Sequence, residues 1–468
     1  MAVNNGSLLE GVRVLDLATL AAAPLVATYL GEFGADVIKI EQPGSGDAIR
    51  TWGNQRNGVG LMWKSVGRNK RGVTANLRDP KGQELVKGLV KHADVVIVNT
   101  RPQTLRKWGL DYESLRAVND KMIMLHITGF GLSGPKSERP GFGTLGEAMS
   151  GFANITGEAD GPPTLPPFML ADGVASLNAA YAVMMALYHR DVHDGPGQLI
   201  DVNLIDPLSR LIEQTLLGYD QLGLVPTRAG NRWDISAPRN TYRTSDGKWL
   251  AMSGSSPALA LRVFKAIGRD DMVTDGDFSD PQRRLARAAG IDEIVAGWVA
   301  SKTLDEAMAV LDAAEVAAAP VYDITQLVAD EQLRHREVFV KVDDDELGAM
   351  TVLRDVGPAV ALRIAGVAQR DDRRDAERVD VLVATGLDRL GRADHVGDHD
   401  PFGQGTGPRA RQRGGLADQG HQSVHRRALT VARLLIVPGL HDSPGDHWQS
   451  WLQRRHRDAV RVRQRHWD

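Results

Sequence analysis

Val12-Arg13-Val14-Leu15-Asp16-Leu17 leads into an alanine-rich run containing Pro24, and then into Gly34-Ala35-Asp36-Val37-Ile38-Lys39-Ile40. Two short apolar runs thus flank a segment of helical composition. Proline suits the first turn of a helix, where its missing N–H costs no hydrogen bond, and glycine suits the end. The stretch predicts a strand over 12–17, a helix over 24–33 and a strand over 36–40. The same order repeats downstream. Residues 73–77 read as a strand, and Asp79-Pro80 opens a helix to about Lys91 with Asp79 as its cap. Residues 94–98 and 122–127 read as further strands. Apolar strands alternating with helices imply an α/β fold, a Rossmann-like and mostly parallel sheet covered on both faces. Ligands of such sheets bind beyond the carboxyl ends of the strands, where Asn99, Thr100 and Arg101 follow one strand.

The 468 residues leave room for more than one domain. Hydrophobic content of 42% and charged content of 25% are ordinary for a soluble protein. A net charge of -3 gives no basic field for nucleic acid. The chain has no cysteine, so thiolate chemistry and disulfides are excluded, and a reducing cytoplasm fits. The opening residues lack a signal-peptide pattern, and the apolar stretch 17–30, broken by Pro24, is too short to span a bilayer. A cytoplasmic protein with no membrane and no nucleic-acid partner is expected.

Composition shifts after Leu222. Thr244-Ser245-Asp246-Gly247-Lys248 reads as a turn before a strand over 249–252, and Thr303 with Glu306 has capping-box spacing. The expected organisation is a large domain over 1–224, a smaller α+β domain over 225–325, a return to the large domain over 326–360, and an atypical tail over 361–468. No lysine follows Lys341, no tyrosine follows Tyr322, and eight of the 13 histidines lie from His395 onward. Such a bias is what a GC-rich gene gives when read out of frame, or marks a fused fragment.

The strongest chemical candidate is Asp172, in Pro166-Pro167-Phe168-Met169-Leu170-Ala171-Asp172-Gly173, ahead of a helical segment over 174–190. Proline and glycine make this a turn that delivers one carboxylate to a helix start. Two readings follow from the segment alone. Asp172 is an N-cap, or it is a reactive carboxylate beside unpaired N–H groups that also stabilise an oxyanion. Gly141-Phe142-Gly143-Thr144-Leu145-Gly146 matches a dinucleotide fingerprint but follows Arg139-Pro140 instead of a strand. His126, inside an apolar run, reads as a satisfied core residue. His189 with His193, and His395 with His399, have metal-like spacing without a supporting motif, so no metal site is expected.

Three blocks, in order, resemble the class III coenzyme A transferases, the formyl-CoA and carnitine-CoA transferase family. The first runs from Leu9 through Pro24 to Gly34-Ala35-Asp36-Val37-Ile38-Lys39-Ile40-Glu41. The second is Asn69-Lys70-Arg71 with Ala93-Asp94-Val95-Val96-Ile97-Val98-Asn99. The third is Ala171-Asp172-Gly173 with Gly195-Pro196-Gly197-Gln198 and Asp201-Val202. The resemblance covers about Leu8 to Val360, with Ala319-Pro320-Val321 near its end. It implies that Asp172 is the nucleophile, and that coenzyme A is met by Ala21, Ala22, Gln42, Ala75, Asn76, Leu77, Arg78, Asn99, Thr100, Arg101, Lys107, Pro140, Gly141, Phe142 and Gly143. It further implies acyl-CoA and a small carboxylic acid as substrates, no tightly bound cofactor, and an interlocked homodimer. Ala21 stands where some members have a glutamine that reaches the acyl group, and Gln42 where some have arginine. Racemases of the same fold need a histidine where Phe142 stands, which favours transfer. An acyl-CoA racemase or isomerase, and an inactive CoA-binding protein, remain the alternatives. Leu434-Leu435-Ile436-Val437-Pro438-Gly439-Leu440-His441-Asp442-Ser443, with His447-Trp448-Gln449-Ser450-Trp451, resembles the opening of a small serine α/β-hydrolase. No G-x-S-x-G elbow accompanies it, so no esterase activity is expected there.

Overall fold

The computed structural model describes residues 7–354. The expectations for the tail over 361–468 lie outside the described residues. Six strands, β1 (Arg13–Asp16), β2 (Asp36–Glu41), β3 (Lys70–Thr74), β4 (Val95–Val98), β5 (Ile123–Thr128) and β6 (Leu199–Asn203), form one sheet. Every neighbouring pair is parallel. The order across the sheet is β3-β2-β1-β4-β5-β6. This is the Rossmann order, and it reverses between β1 and β4.

Both faces of the sheet are covered, and strand alternation decides what lies on each. Val14, Val95, Ile97, Ile123 and Leu125 join one buried cluster with helices α1 (Ala22–Glu32) and α4 (Leu170–Val192). Leu15, Val96, Val98, Met122 and Met124 join the opposite cluster with α2 (Pro80–Val90). Alanines at 22, 23 and 27 meet Ala175 and Ala179, so α1 and α4 pack closely. By length and composition α4 could cross a membrane. Its buried side, Ala175, Ala179, Val183 and Ala186, instead belongs to the core of this sheet. Burying a side chain such as Val183 stabilises by about 2 kcal/mol.

Two boundaries differ from the sequence reading. β3 covers Lys70–Thr74 instead of 73–77, because the Lys70 ammonium is buried against Asp16 Oδ2 at 2.9 Å, and a lysine is therefore an interior strand residue here. Residues 75–79 form the turn that lets Asp79 cap α2 by accepting the Lys81 N–H at 2.9 Å. The long helix starts at Leu170, four residues early, with Met169 in the cap position. Asp172 is thus inside the first turn, and the N-cap reading is corrected.

Beyond α4 a second apolar cluster gathers Tyr242, Leu250, Met252, Val263, Phe264, Val295 and Leu311. Its sheet is antiparallel, with strands β7 (Arg239–Arg243), β8 (Trp249–Ser253) and β9 (Ala318–Pro320) in the order β9-β8-β7. The buried Asp292 joins it by accepting the Tyr242 hydroxyl at 2.8 Å and the Arg232 Nε–H at 2.7 Å. Thr303 and Glu306 form the expected capping box. A hairpin, β10 (Phe339–Asp344) and β11 (Gly348–Leu353), closes the described chain.

Candidate active site

The chain leaving β1 turns through Ala18, Thr19 and Leu20 into α1, and the chain leaving β4 turns through Asn99 and Arg101 into the helix Pro102–Trp108. These two turns flank the point where the strand order reverses. A cleft of about 750 Å³ opens there. Its other walls are Gly129, residues 139–144 and residues 165–169, and Asp172 sits in it.

Asp172 is half-buried, at the third residue of α4. The backbone N–H groups of Ala22, the first residue of α1, and of Asp172 itself lie near enough to its carboxylate to favour the ionised form. Two helix N-termini therefore converge on one acid, each with orphan donors. Ser176, fully buried one turn on, donates its hydroxyl to Ala22 O at 2.7 Å or Asp172 O at 2.6 Å, which ties the helix starts together. Burial raises the Asp172 pKa, the negative Glu147 raises it further, and the two N–H groups pull it partly back. Glu147, buried on the short helix α3 (Gly143–Met149), accepts the Ala171 N–H at 3.2 Å.

A carboxyl whose folded pKa is raised adds stability below its unfolded pKa, and that stability is lost as pH rises through the folded pKa. Ionised Asp172 therefore costs stability at neutral pH. Asp172→Asn should melt higher than the wild type at neutral pH, and the gap should close as pH falls below the ordinary carboxylate range. Calorimetry across that range checks this; an equal gap at every pH contradicts it.

The G-x-G pattern is explained by close approaches. A side chain on Gly141 would press on the Gly129 backbone, with its Cβ 2.6 Å from that Cα. One on Gly143 would collide with the Asp172 carboxylate. Gly143 also begins α3, and residues 129–142 separate it from β5, so this is not a dinucleotide turn, in which the glycines directly follow a strand.

Of the residues singled out by sequence, Ala21, Ala22, Asn99, Arg101, Pro140, Gly141, Phe142 and Gly143 line the cleft with Asp172. Gln42, Ala75, Asn76, Leu77, Arg78, Thr100 and Lys107 do not. Gln42 follows β2 and residues 75–78 follow β3, so both lie at the same edge of the sheet, farther out. The Asn99 side chain is committed to Thr19, accepting its N–H at 3.0 Å and donating to its carbonyl at 2.7 Å. Arg101 and Arg139 are exposed on the cleft walls, and neither has a side-chain partner among the described residues. His126 is buried and donates Nε2–H to Thr100 O at 2.7 Å. His189 Nδ1 meets Gln198 Nε2 at 3.2 Å. Among the described residues no group of acids and histidines has metal-binding geometry.

Sequence reasoning missed Glu147, Trp52, Met62, Leu165 and Leu204, all of which line the cleft. Glu147 had a readable signal, a carboxylate four residues after a glycine that opens a helix. Trp52 and Met62 arrive on the segment between β2 and β3, one at the end of a short 3-10 turn and one on the helix Leu61–Val66, and had none.

Comparison with known proteins identifies the family. Residues 9–363 match the model of CoA-transferase family III, and residues 434–468 match a serine hydrolase model. The succinyl-CoA–D-citramalate CoA-transferase of Chloroflexus aurantiacus is 37% identical over 360 residues, covering 77% of this chain and 89% of that protein. The beta subunit of the succinyl-CoA–L-malate CoA-transferase of the same organism is 38% identical over 356 residues, covering 75% and 88%. A CAIB/BAIF family protein from Brucella suis superposes with a TM-score of 0.66 at 33% identity, covering 74% of this chain and 91% of that one. With the reversal-point cleft and the Asp172 carboxylate in place, the chain belongs to CoA-transferase family III and is a CoA-transferase.

Proposed function

We propose that the protein moves coenzyme A from an acyl-CoA thioester to a carboxylic acid, with Asp172 as the covalent carrier. The carboxylate attacks the donor carbonyl, an Asp172–acyl anhydride forms, and CoA leaves as thiolate. The thiolate attacks the aspartyl carbonyl, which releases the donor acid and leaves an aspartyl-CoA thioester. The acceptor carboxylate then runs the two steps in reverse. Asp172 is a carboxylate like the donor and acceptor acids, so its CoA thioester is close in energy to theirs and no intermediate is a deep trap. Whenever the aspartyl carbonyl is attacked, its oxygen becomes an oxyanion facing the Ala22 N–H. The observation that carries the proposal is this carboxylate at two converging helix starts inside the cleft.

The relatives named for succinyl-CoA with citramalate or malate support succinyl-CoA as donor and a hydroxy-dicarboxylic acid as acceptor. Arg101 and Arg139 suit the second carboxylate of such acids or the phosphates of coenzyme A. Gln42 and residues 75–78 suit the nucleotide end of a ligand that runs along the sheet edge. Phe142 lines the cleft without an acid–base group, which disfavours racemisation. Incubating the enzyme with succinyl-CoA and a panel of hydroxy-dicarboxylates should give the new CoA ester by mass. Deuterium incorporation at the α-carbon without CoA exchange would instead indicate a racemase.

A cytoplasmic homodimer is the proposed state. Leu177, Tyr181, Met185, Tyr188 and Val192 form an exposed apolar stripe along α4, and the helix Glu213–Leu222 buries none of its residues yet exposes Leu216, Leu217, Tyr219 and Leu222. An uncovered stripe of this length marks an interface, and a second copy would cover it. Light scattering should give twice the chain mass, and Met185→Glu should shift it toward monomer. A wild-type monomer with full activity contradicts the assembly.

A further inference from the structure

The turn between β1 and α1 leads into Ala22, whose carbonyl and that of Asp172 both lie within hydrogen-bond reach of the Ser176 hydroxyl, and its shape is imposed from beneath. Leu20 has φ +66°, a left-handed conformation that costs a residue with a side chain about 1–2 kcal/mol. Asn99 grips Thr19 on both sides of its peptide. Asp47 Oδ1 accepts the Leu20 N–H at 3.0 Å. Asp16 Oδ1 accepts the Ala18 N–H at 3.1 Å, and the Lys39 ammonium donates to the Ala18 carbonyl.

A buried charge cluster stands behind these contacts. Lys39 Nζ lies 3.0 Å from Asp47 Oδ2 and 3.5 Å from Asp16 Oδ2, and Lys70 Nζ lies 2.9 Å from Asp16 Oδ2. Asp16, Lys39 and Asp47 are each at most 2% exposed. Asp47 is itself fixed, its N–H donated to Glu41 at 2.8 Å, while Arg50 grips Glu41 through two bonds of 2.7 Å. Buried ion clusters add little stability over apolar packing, because desolvation offsets their attraction. What this one does supply is direction. It holds a strained residue two positions before Ala22.

We propose that Asp47 is a positioning residue for CoA transfer, holding the Ala22 N–H beside Asp172 through its bond to the Leu20 N–H. The inference rests on Asp172 being the covalent carrier. Without the Asp47 acceptor, Leu20 relaxes out of the left-handed region and the first turn of α1 shifts. The oxyanion on the aspartyl carbonyl then loses its donor, while Arg101 and the residues that follow β2 and β3 keep their places for coenzyme A.

The test begins with borohydride trapping of the wild-type enzyme on labelled acyl-CoA. Label on Asp172 establishes the carrier and gives the number of competent sites. Rates per competent site are then compared for Asp47→Ala and Asp47→Asn. Asparagine keeps an oxygen for the Leu20 and Ile49 N–H groups and leaves Lys39 beside Asp16. The Asp47→Ala rate per site should fall by about tenfold to a hundredfold, a larger change than in KM for acyl-CoA. Asp47→Asn should stay within about threefold of the wild type by the same reasoning. A purely structural role would lower the number of competent sites and leave the rate per site intact, which would overturn the proposal. Asp47→Asn as slow as Asp47→Ala would also overturn it, because charge and not the Leu20 contact would then matter. Leu20→Val strains the same backbone and spares the charge cluster, so it decides the matter if Asp47→Ala does not fold. It should reproduce the loss per site, and a wild-type rate would refute the route through Leu20.

Discussion

Asp172→Ala should lose CoA exchange by roughly 10³-fold or more while still binding coenzyme A. The size follows from the proposed role. Without a carboxylate there is no anhydride and no aspartyl thioester, and direct reaction between thioester and acceptor would have only the cleft's positioning and N–H donors to help it. The fold should survive, because alanine favours helix and the change removes a half-buried charge whose ionisation burial opposes. The measurement is transfer of labelled CoA between two acids, with CoA binding followed in parallel. Hydroxylamine or borohydride should modify Asp172 in the wild type and nothing in the variant. Exchange persisting near the wild-type rate would move the covalent role elsewhere, and the buried Glu147 would be the next carboxylate to test.

The parallel sheet was legible because β4 and β5 are runs of residues that only a two-faced core can take, Val95-Val96-Ile97-Val98 being fully buried. The read strands over 12–17, 36–40, 94–98 and 122–127 fall on β1, β2, β4 and β5 within one or two residues. β6 was not read as a strand. It lies at the sheet edge, alternates Asp201 and Asn203 with Ile200 and Val202, and so lacks an apolar run. β3 was misplaced because its Lys70 and Arg71 look like surface residues until Asp16 and Asp36 are found beside them. Asp172 was legible from its proline and glycine neighbours, although Gly173 lies inside the helix and the break was set too late. Asp47 and Lys39 carried no legible site role, because the residues they contact, Leu20 and Ala18, are distant in sequence. Local pattern reports what a segment can become, and not which two helix starts will meet.

Gly143→Ala should cripple transfer without unfolding the protein. A Cβ at this position would overlap the Asp172 carboxylate oxygen, lie 3.1 Å from its Cγ and 3.7 Å from the Asp172 N. The backbone there needs no left-handed φ, so alanine is conformationally acceptable and also favours the helix that Gly143 begins. The conflict is thus confined to one methyl and one carboxylate. Asp172 has two side-chain torsions, and a methyl at Gly143 would force its carboxylate off the position it holds. A displacement on the order of 1 Å at a reacting atom costs about a hundredfold in rate, and kcat should fall by about that much with KM for acyl-CoA little changed. Gly141→Ala is the contrast. Its Cβ would meet the Gly129 Cα at 2.6 Å and the Phe130 ring at 3.2 Å, and the Gly129 backbone cannot turn aside. Overpacking of that kind costs about 1–3 kcal/mol, so Gly141→Ala should melt lower before it transfers more slowly. Thermal melts and kinetics on the two variants separate the cases. If Gly143→Ala transfers CoA at the wild-type rate, the carboxylate works in a different rotamer from the one facing Ala22, and the converging helix starts are not what prepares it for attack.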